Sequence, residues 1–134
     1  MKKIDKIGGI ILKDKKLLVV QKRTKDNRPE YIIPGGKREG KETDIETLAR
    51  ELKEEIQVDL KGVKPFGGFD DIAIFENIPI HIEVYIADIE GEPKCDSEIK
   101  SLVWIDRNYK DYGIELGSVL GKYVVPQLIE MEMM

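Results

Sequence analysis

Cysteine occurs once in this 134-residue chain, at Cys95, and histidine once, at His81. One cysteine excludes an internal disulfide, and the two residues together cannot build a cysteine–histidine zinc site. The expected home is therefore a reducing compartment, the cytoplasm. An excess of positive charge is also missing: 22 basic residues stand against 26 acidic ones, for a net charge of −4. Without a basic field, duplex nucleic acid is not an expected partner. No apolar run approaches the ~18 residues of a membrane span. The basic start "MKKIDKIGGIILKDKK" is unlike a signal peptide, because Asp5, the glycines and the KDKK run interrupt its apolar stretch. Internal repeats and low-complexity linkers are absent too, so residues 1–134 read as one soluble domain with no membrane partner.

What is present is a set of short apolar runs around one periodic segment. "GGIIL" and "KLLVVQKR" read as two strands joined at "KDK", and "YIIPGG" as a third strand stopped by Pro34. From Thr43 the period changes: Ile45, Leu48, Ala49, Leu52 and Ile56 form the stripe of an amphipathic helix, and Thr43 and Glu46 have capping-box spacing. "VDLKGVKPFGGFDDIAIFE" reads as a strand bent at its glycines. In "IPIHIEVYIAD" Ile80, Ile82, Val84 and Ile86 alternate with polar positions, as on a half-buried strand. "IKSLVWID" adds a strand, and "GSVLGKYVVPQLIEME" a C-terminal helix bent or restarted at Pro126. Strands flanking one central helix, plus a terminal helix, predict an α+β domain layered as an α/β/α sandwich.

The central helix carries an apparent fault. "RELKEE" places Glu51, Glu54 and Glu55 within an arc of roughly a hundred degrees near the helix C-terminus. Like charges at this spacing cost roughly 0.2–0.5 kcal/mol per pair, and the helix dipole adds to the penalty. Arg50 can offset Glu46 and Glu54, four residues to either side, whereas Glu51 and Glu55 have no helical partner. A solvated face is one reading. The other is that a divalent cation supplies the missing charge, since hard carboxylate oxygens suit Mg²⁺ or Mn²⁺. The loop "PGGKREGKE" runs straight into this helix, and its glycines allow the backbone to approach the carboxylates closely.

These residues carry a family pattern. "GKREGKETDIETLARELKEEIQV", residues 36–58, resembles the Nudix box, G-x5-E-x7-R-E-U-x-E-E-x-G-U with U aliphatic. Gly36, Glu42, Arg50, Glu51, Leu52, Glu54, Glu55 and Val58 fill it, and only Gln57 departs, standing where the family has glycine. The flanking strands extend the resemblance over roughly residues 7 to 106. It implies a Nudix fold, with a mixed β-sheet, the box helix on one side and a C-terminal helix. It also implies Mg²⁺-dependent hydrolysis, with Mn²⁺ as a substitute, of the diphosphate link in a small nucleotide. Carried over residue by residue, Glu51, Glu54 and Glu55 hold metal with help from the Gly36 backbone, Arg50 orients a glutamate, and Glu42 is an outer member. The general base is Glu51 or a loop acid such as Glu98, with Asp96 behind it. Gln57 puts the turn after the helix in question, because a left-handed non-glycine residue costs roughly 1 kcal/mol.

A MutT-like action on nucleoside triphosphates is the preferred expectation. ADP-ribose, nucleotide-sugar and dinucleoside polyphosphate hydrolysis, or a non-hydrolytic nucleotide sensor, are the alternatives. Among Lys22, Arg23, Lys25 and Arg28, a solvated loop for the most part, Arg23 is the best candidate for substrate phosphate. Tyr31 and Phe75 are candidates for stacking on a base, against core roles. His81 reads as structural, Cys95 as no nucleophile and Trp104 as a packing anchor. "IEMEMM" reads as a frayed end whose methionines could serve a homodimer.

Overall fold

The computed structural model describes residues 4–25, 27–73 and 77–134, and its elements follow the hydrophobic pattern. In chain order they are β1 (Ile4–Ile10), β2 (Leu12–Lys13), β3 (Lys16–Lys22), β4 (Gly35–Lys37), α1 (Asp44–Ile56), β5 (Asp59–Ala73), β6 (Ile78–Glu90), β7 (Ile99–Ile105) and α2 (Val125–Glu130). Four strands form a mixed sheet in the order β4-β1-β6-β5, and three form a second sheet in the order β2-β3-β7. In the first, β1 runs parallel to β6 from Ile4 opposite Ile80 to Ile10 opposite Ile86, while β4 and β5 pair antiparallel. The mixed sheet and the α+β class match the expectation, and a second, antiparallel sheet accompanies them.

The connection at "KDK" is a tight hairpin, but of the run "GGIIL" only Leu12 takes part in it. Both edges of β1 are taken, by β4 and β6, so its backbone has no free side for β3. The chain changes sheets at Ile11, and only Leu12 and Lys13 pair with Leu17 and Lys16. The turn between them places Asp14 and Lys15 at φ of 53° and 61°, the conformation that suits a tight hairpin. The expected strand "YIIPGG" is corrected as well. Tyr31 and Ile32 make only single bridges, to Leu116 and Val20, and the strand proper begins after Pro34. A proline has no amide hydrogen to give a ladder.

The continuous apolar run of β3 is explained by burial on both faces. Leu17 and Val19 join a core with Ile10, Val84, Val124 and Leu128, whereas Leu18 and Val20 join one with Leu48, Leu52 and Ile56. Those last three α1 residues are fully buried, each worth about 1.5–3 kcal/mol. Gly9 brings β1 against α1, since a Cβ there would stand 3.2 Å from Leu48 Cδ1.

The bend expected in β5 is present as two register shifts, at Leu60/Gly62 and Pro65/Gly67. The C-terminal helix opens as a wide π turn over Leu120–Val124, with the Val125 amide donating to Leu120 O, before α2 begins with Pro126 in its first turn. Because Pro126 cannot donate, widening the preceding turn lets the helix continue. The tail is not frayed: Met134 is 2% exposed and Arg107 donates to its carbonyl at 2.9 Å, leaving Met131 outward. Phe75 lies outside the described residues. Among the described residues, no helix is long and apolar enough to cross a membrane.

Candidate functional site

Helix α1 starts as its sequence requires. Thr43 Oγ1 accepts from the Glu46 amide at 3.2 Å, and Glu46 accepts from the Thr43 amide at 2.9 Å, closing the capping box. This occupies Glu46, so the expected Glu46–Arg50 offset does not form. The helix ends at Gln57, left-handed at φ 59° and ψ 36°, whose amide donates to Lys53 O. Gln57 thus adopts the conformation a glycine would take there. Its side chain donates to Asp96 Oδ2 at 3.0 Å, returning part of the backbone cost. That bond ties Asp96 to the helix end.

Arg50 is the hub of one carboxylate group. Its guanidinium grips Glu42 with two bonds, Nε to Oε2 at 2.8 Å and Nη2 to Oε1 at 2.9 Å. Nη1 donates to Glu51 Oε1 at 2.9 Å and lies 3.5 Å from Glu54, and Nη2 also donates to Lys37 O. Hydrogen bonds from Arg50, then from the Glu39 amide, hold the Glu42 carboxyl down at about 2. The same pairing with Glu42 raises Arg50. Glu42 therefore braces the arginine, which in turn fixes the Glu51 carboxylate.

Glu55 forms a second group. It is 2% exposed, and its Oε1 accepts from the Gly35 amide at 3.0 Å. Its Oε2 is buried with no hydrogen-bond donor, although the Lys22 ammonium stands 3.2 Å away and 3.4 Å from Glu98. That ammonium is an ion-pair neighbour, so the charge is compensated while the oxygen has no well-directed donor. Burial pushes the Glu55 carboxyl up, opposed by Lys22, and pushes Glu51 up, opposed by Arg50. Burial alone would lower Lys22, but Glu55 raises it on balance.

Gly36 completes the approach. In the register Gly36 opposes Ile7, and a Cβ on it would stand 2.5 Å from Glu51 Oε1, so only glycine lets the loop backbone meet this carboxylate. Hard oxygens, a buried carboxylate oxygen without a donor and a glycine cradle fit a divalent cation. Among the described residues, no three acidic, histidine or cysteine side chains converge on one point as a ready cluster. Arg50 and Lys22 stand between the carboxylates instead.

Beside this face opens a cavity of about 110 Å³, lined by Gly36 and Lys22 at the carboxylate end and by Ile80, Ile82, Ser118 and Val119 further in. It lies between the mixed sheet and the C-terminal segment. Sequence reasoning missed this cavity and the place of Lys22, which had read as one of a solvated loop group. No local signal announces either, because Lys22 meets Glu55 and Glu98 from more than thirty positions away and the cavity is walled by segments from both halves of the chain.

The remaining candidates are spread around the site. Glu98 has a side chain 57% exposed beside Lys22, and its carbonyl accepts from the Arg23 amide at 2.7 Å. Arg23 is exposed. Tyr31 turns its hydroxyl to Ser101 Oγ at 2.9 Å, and neither Tyr31 nor Arg23 is among the cavity-lining residues. His81 bridges Asp70 at 2.9 Å and Glu83 at 2.7 Å, a structural position on β6.

The family model of the NUDIX domain matches residues 2–109. No curated protein sequence matches significantly. Solved structures share the fold. The E. coli ORF135 protein is 24% identical with a TM-score of 0.73, the match covering 98% of this chain and 90% of that one. A MutT NUDIX hydrolase from Burkholderia pseudomallei is 21% identical with a TM-score of 0.75, covering 97% and 98%. A bifunctional NMN adenylyltransferase/ADP ribose pyrophosphatase from Francisella tularensis is 18% identical with a TM-score of 0.68, covering 96% of this chain and 41% of that one.

Proposed function

We propose, for a chain that belongs to the NUDIX family and is thereby a hydrolase, that it cleaves the diphosphate linkage of a nucleoside triphosphate with Mg²⁺ as cofactor. The observation that carries this reading is the continuity of two unlike surfaces. The apolar cavity opens past Gly36 and Lys22 onto the Glu51–Glu55 face, so a base in the cavity leads its phosphates to the carboxylates. The cavity beside the carboxylates takes one base more readily than two, which favours a mononucleotide over a dinucleoside polyphosphate.

Glu51, Glu54 and Glu55, with the Gly36 backbone, are the residues that would hold the cation. Once bound, it would neutralise the phosphate oxygens and help orient a water. Arg50 keeps the Glu51 carboxylate aimed at that face, and Glu42 keeps Arg50 in place. Glu98 is the proposed general base, because it is open to solvent and free of Arg50, and can take a proton from the attacking water. Water oxygen bonds to phosphorus, the P–O bond to the departing phosphate breaks, and the leaving oxygen keeps the electron pair. Lys22 and exposed Arg23 border the path of the phosphates, whereas Tyr31 is assigned to tying its loop to β7 through Ser101.

The test is a panel of nucleoside triphosphates, oxidised guanine nucleotides, ADP-ribose, nucleotide sugars and dinucleoside polyphosphates, incubated with Mg²⁺ or with EDTA and read by product mass. Metal-dependent cleavage of triphosphates is the expected result. Cleavage confined to ADP-ribose or nucleotide sugars overturns the substrate reading. Binding without turnover of any member would make the chain a sensor.

A further inference from the structure

We propose that Gln57 is a positioning residue: through Asp96 it holds the segment 94–98 against the C-terminal end of α1, and so sets Glu98 beside Glu55. The inference rests on the reading above of Glu98 as general base and names the residue that places it. Gln57 stands left-handed at φ 59°, a conformation that glycine takes without steric cost. The turn itself therefore gains nothing from the side chain. What the side chain adds is one bond to a residue 39 positions away, Nε2 to Asp96 Oδ2 at 3.0 Å.

Helix α1 ends in carbonyls that no amide of the helix reaches, and the segment 94–98 supplies donors for two of them. The Lys94 amide donates to Ile56 O at 2.9 Å and the Asp96 amide to Glu55 O at 3.0 Å. Asp96 then organises the turn that follows. Its Oδ1 accepts from the Ser97 amide at 2.7 Å and its carbonyl from the Ile99 amide at 3.0 Å, around a Ser97 that is itself left-handed at φ 53°. A non-glycine residue in that conformation carries strain, so the turn persists only while its surroundings hold it. One Asp96 oxygen holds the turn, and Gln57 holds the other.

Glu98 leaves this turn between two anchors. Its carbonyl accepts from the Arg23 amide at 2.7 Å, and its Oε1 lies 3.4 Å from Lys22 Nζ, which in turn lies 3.2 Å from Glu55 Oε2. A closed ring of contacts thus runs from the Glu55 carbonyl through Asp96, Glu98 and Lys22 to the Glu55 carboxylate. Backbone bonds fix the path of the segment, the Asp96 side chain fixes its turn, and Gln57 fixes Asp96. A general base acts only within hydrogen-bond reach of its proton, so a small drift of this turn slows proton removal without loosening the grip on substrate.

The experiment compares the full chain with Gln57→Ala, which keeps the left-handed cost and removes only the amide. Without metal or nucleotide, exchange of the Ser97 and Ile99 amide hydrogens should speed up by about three- to ten-fold, with the β1 amides unchanged. With Mg²⁺ and the triphosphate that the panel shows to be cleaved fastest, kcat should fall about ten-fold while KM stays within about two-fold. Gln57→Glu sets a carboxylate against Asp96 and should lower kcat at least as much. Adding Asp96→Asn to it lets the new amide donate to the new carboxylate while its oxygen still accepts from Ser97, and kcat should return to within about three-fold of the parent. In a Glu98→Gln background, Gln57→Ala should lower kcat no further. Unchanged exchange, an unchanged kcat, a loss carried by KM, a further loss in the Glu98→Gln background or no rescue by the paired substitution would overturn the proposal. Full activity of Glu98→Gln would remove the general-base reading and this role with it. No turnover of any triphosphate by the parent would remove the substrate reading instead, and faster exchange that the paired substitution reverses would leave the clamp standing.

Discussion

Two cations serve the carboxylates of α1, and they do so differently. Arg50 is fully engaged: two bonds to Glu42, one to Glu51 and one to a carbonyl. Lys22 is tucked between Glu55 and Glu98, and leaves Glu55 Oε2 without a hydrogen-bond donor. A satisfied group of this kind fixes geometry. One that is charge-paired yet short of a well-directed hydrogen bond carries a standing cost in stability.

The contrast breaks first at Glu55. If Glu55 serves the proposed metal site, Glu55→Gln should lower metal-dependent turnover by roughly 10²–10³-fold. Circular dichroism should show the fold retained, since the amide can still accept from Gly35. An active Glu55→Gln enzyme would mean that this group serves the fold alone.

Lys22→Met comes next. It strands the buried Glu55 charge and should destabilise the protein by about 2 kcal/mol, a value discounted from a fully buried pair because Lys22 is partly open. Added Mg²⁺ should raise the melting temperature of Lys22→Met more than that of the parent. An equal rise in both proteins would sink the idea that Lys22 compensates a charge the cation also serves.

A third arrangement, Asp70–His81–Glu83, is open to water and satisfied like Arg50, so it should behave as stability alone. Hydrogen bonds to Glu83, then to Asp70, raise the pKa of His81 above its usual 6.5. The folded state therefore binds this proton more tightly than the unfolded chain does. The stabilisation is fully present below about pH 6.5 and lost as pH climbs through the raised value. The stability gap between the parent and His81→Gln should thus be wider in acid than in alkali, with no change in turnover where both are folded. A gap independent of pH would show that packing, rather than charge, is what His81 supplies.

The smallest effect belongs to the helix end. Gln57→Gly removes a left-handed cost of roughly 1 kcal/mol but also the bond to Asp96, so denaturant melts should show a net change below about 1 kcal/mol. A large loss would mean that the Gln57–Asp96 tie supports more of the fold than the turn before Glu98.

The legible features share a physical property: they depend on neighbours a few residues away. Helix periodicity, the capping box and the close spacing of Glu51, Glu54 and Glu55 are set by 3.6 residues per turn, and they appear where the pattern placed them. The strand at "YIIPGG" was misjudged because a strand needs a partner edge, and Pro34 shifted that edge to Gly35–Lys37. The sheet change at Ile11 was equally hidden, since β1 spends both edges on strands distant in sequence.

By itself, then, the sequence determined one amphipathic helix with its N-terminal cap, the glycine loop before it and the carboxylates it displays, because local backbone geometry decides those. Tertiary structure alone decided that Lys22 would meet Glu55, that Glu42 would clasp Arg50, and that Lys6 and Ser118 would line one cavity. Contacts of that kind depend on sheet register and on how far buried charges can be brought from water, and no short stretch of chain encodes either.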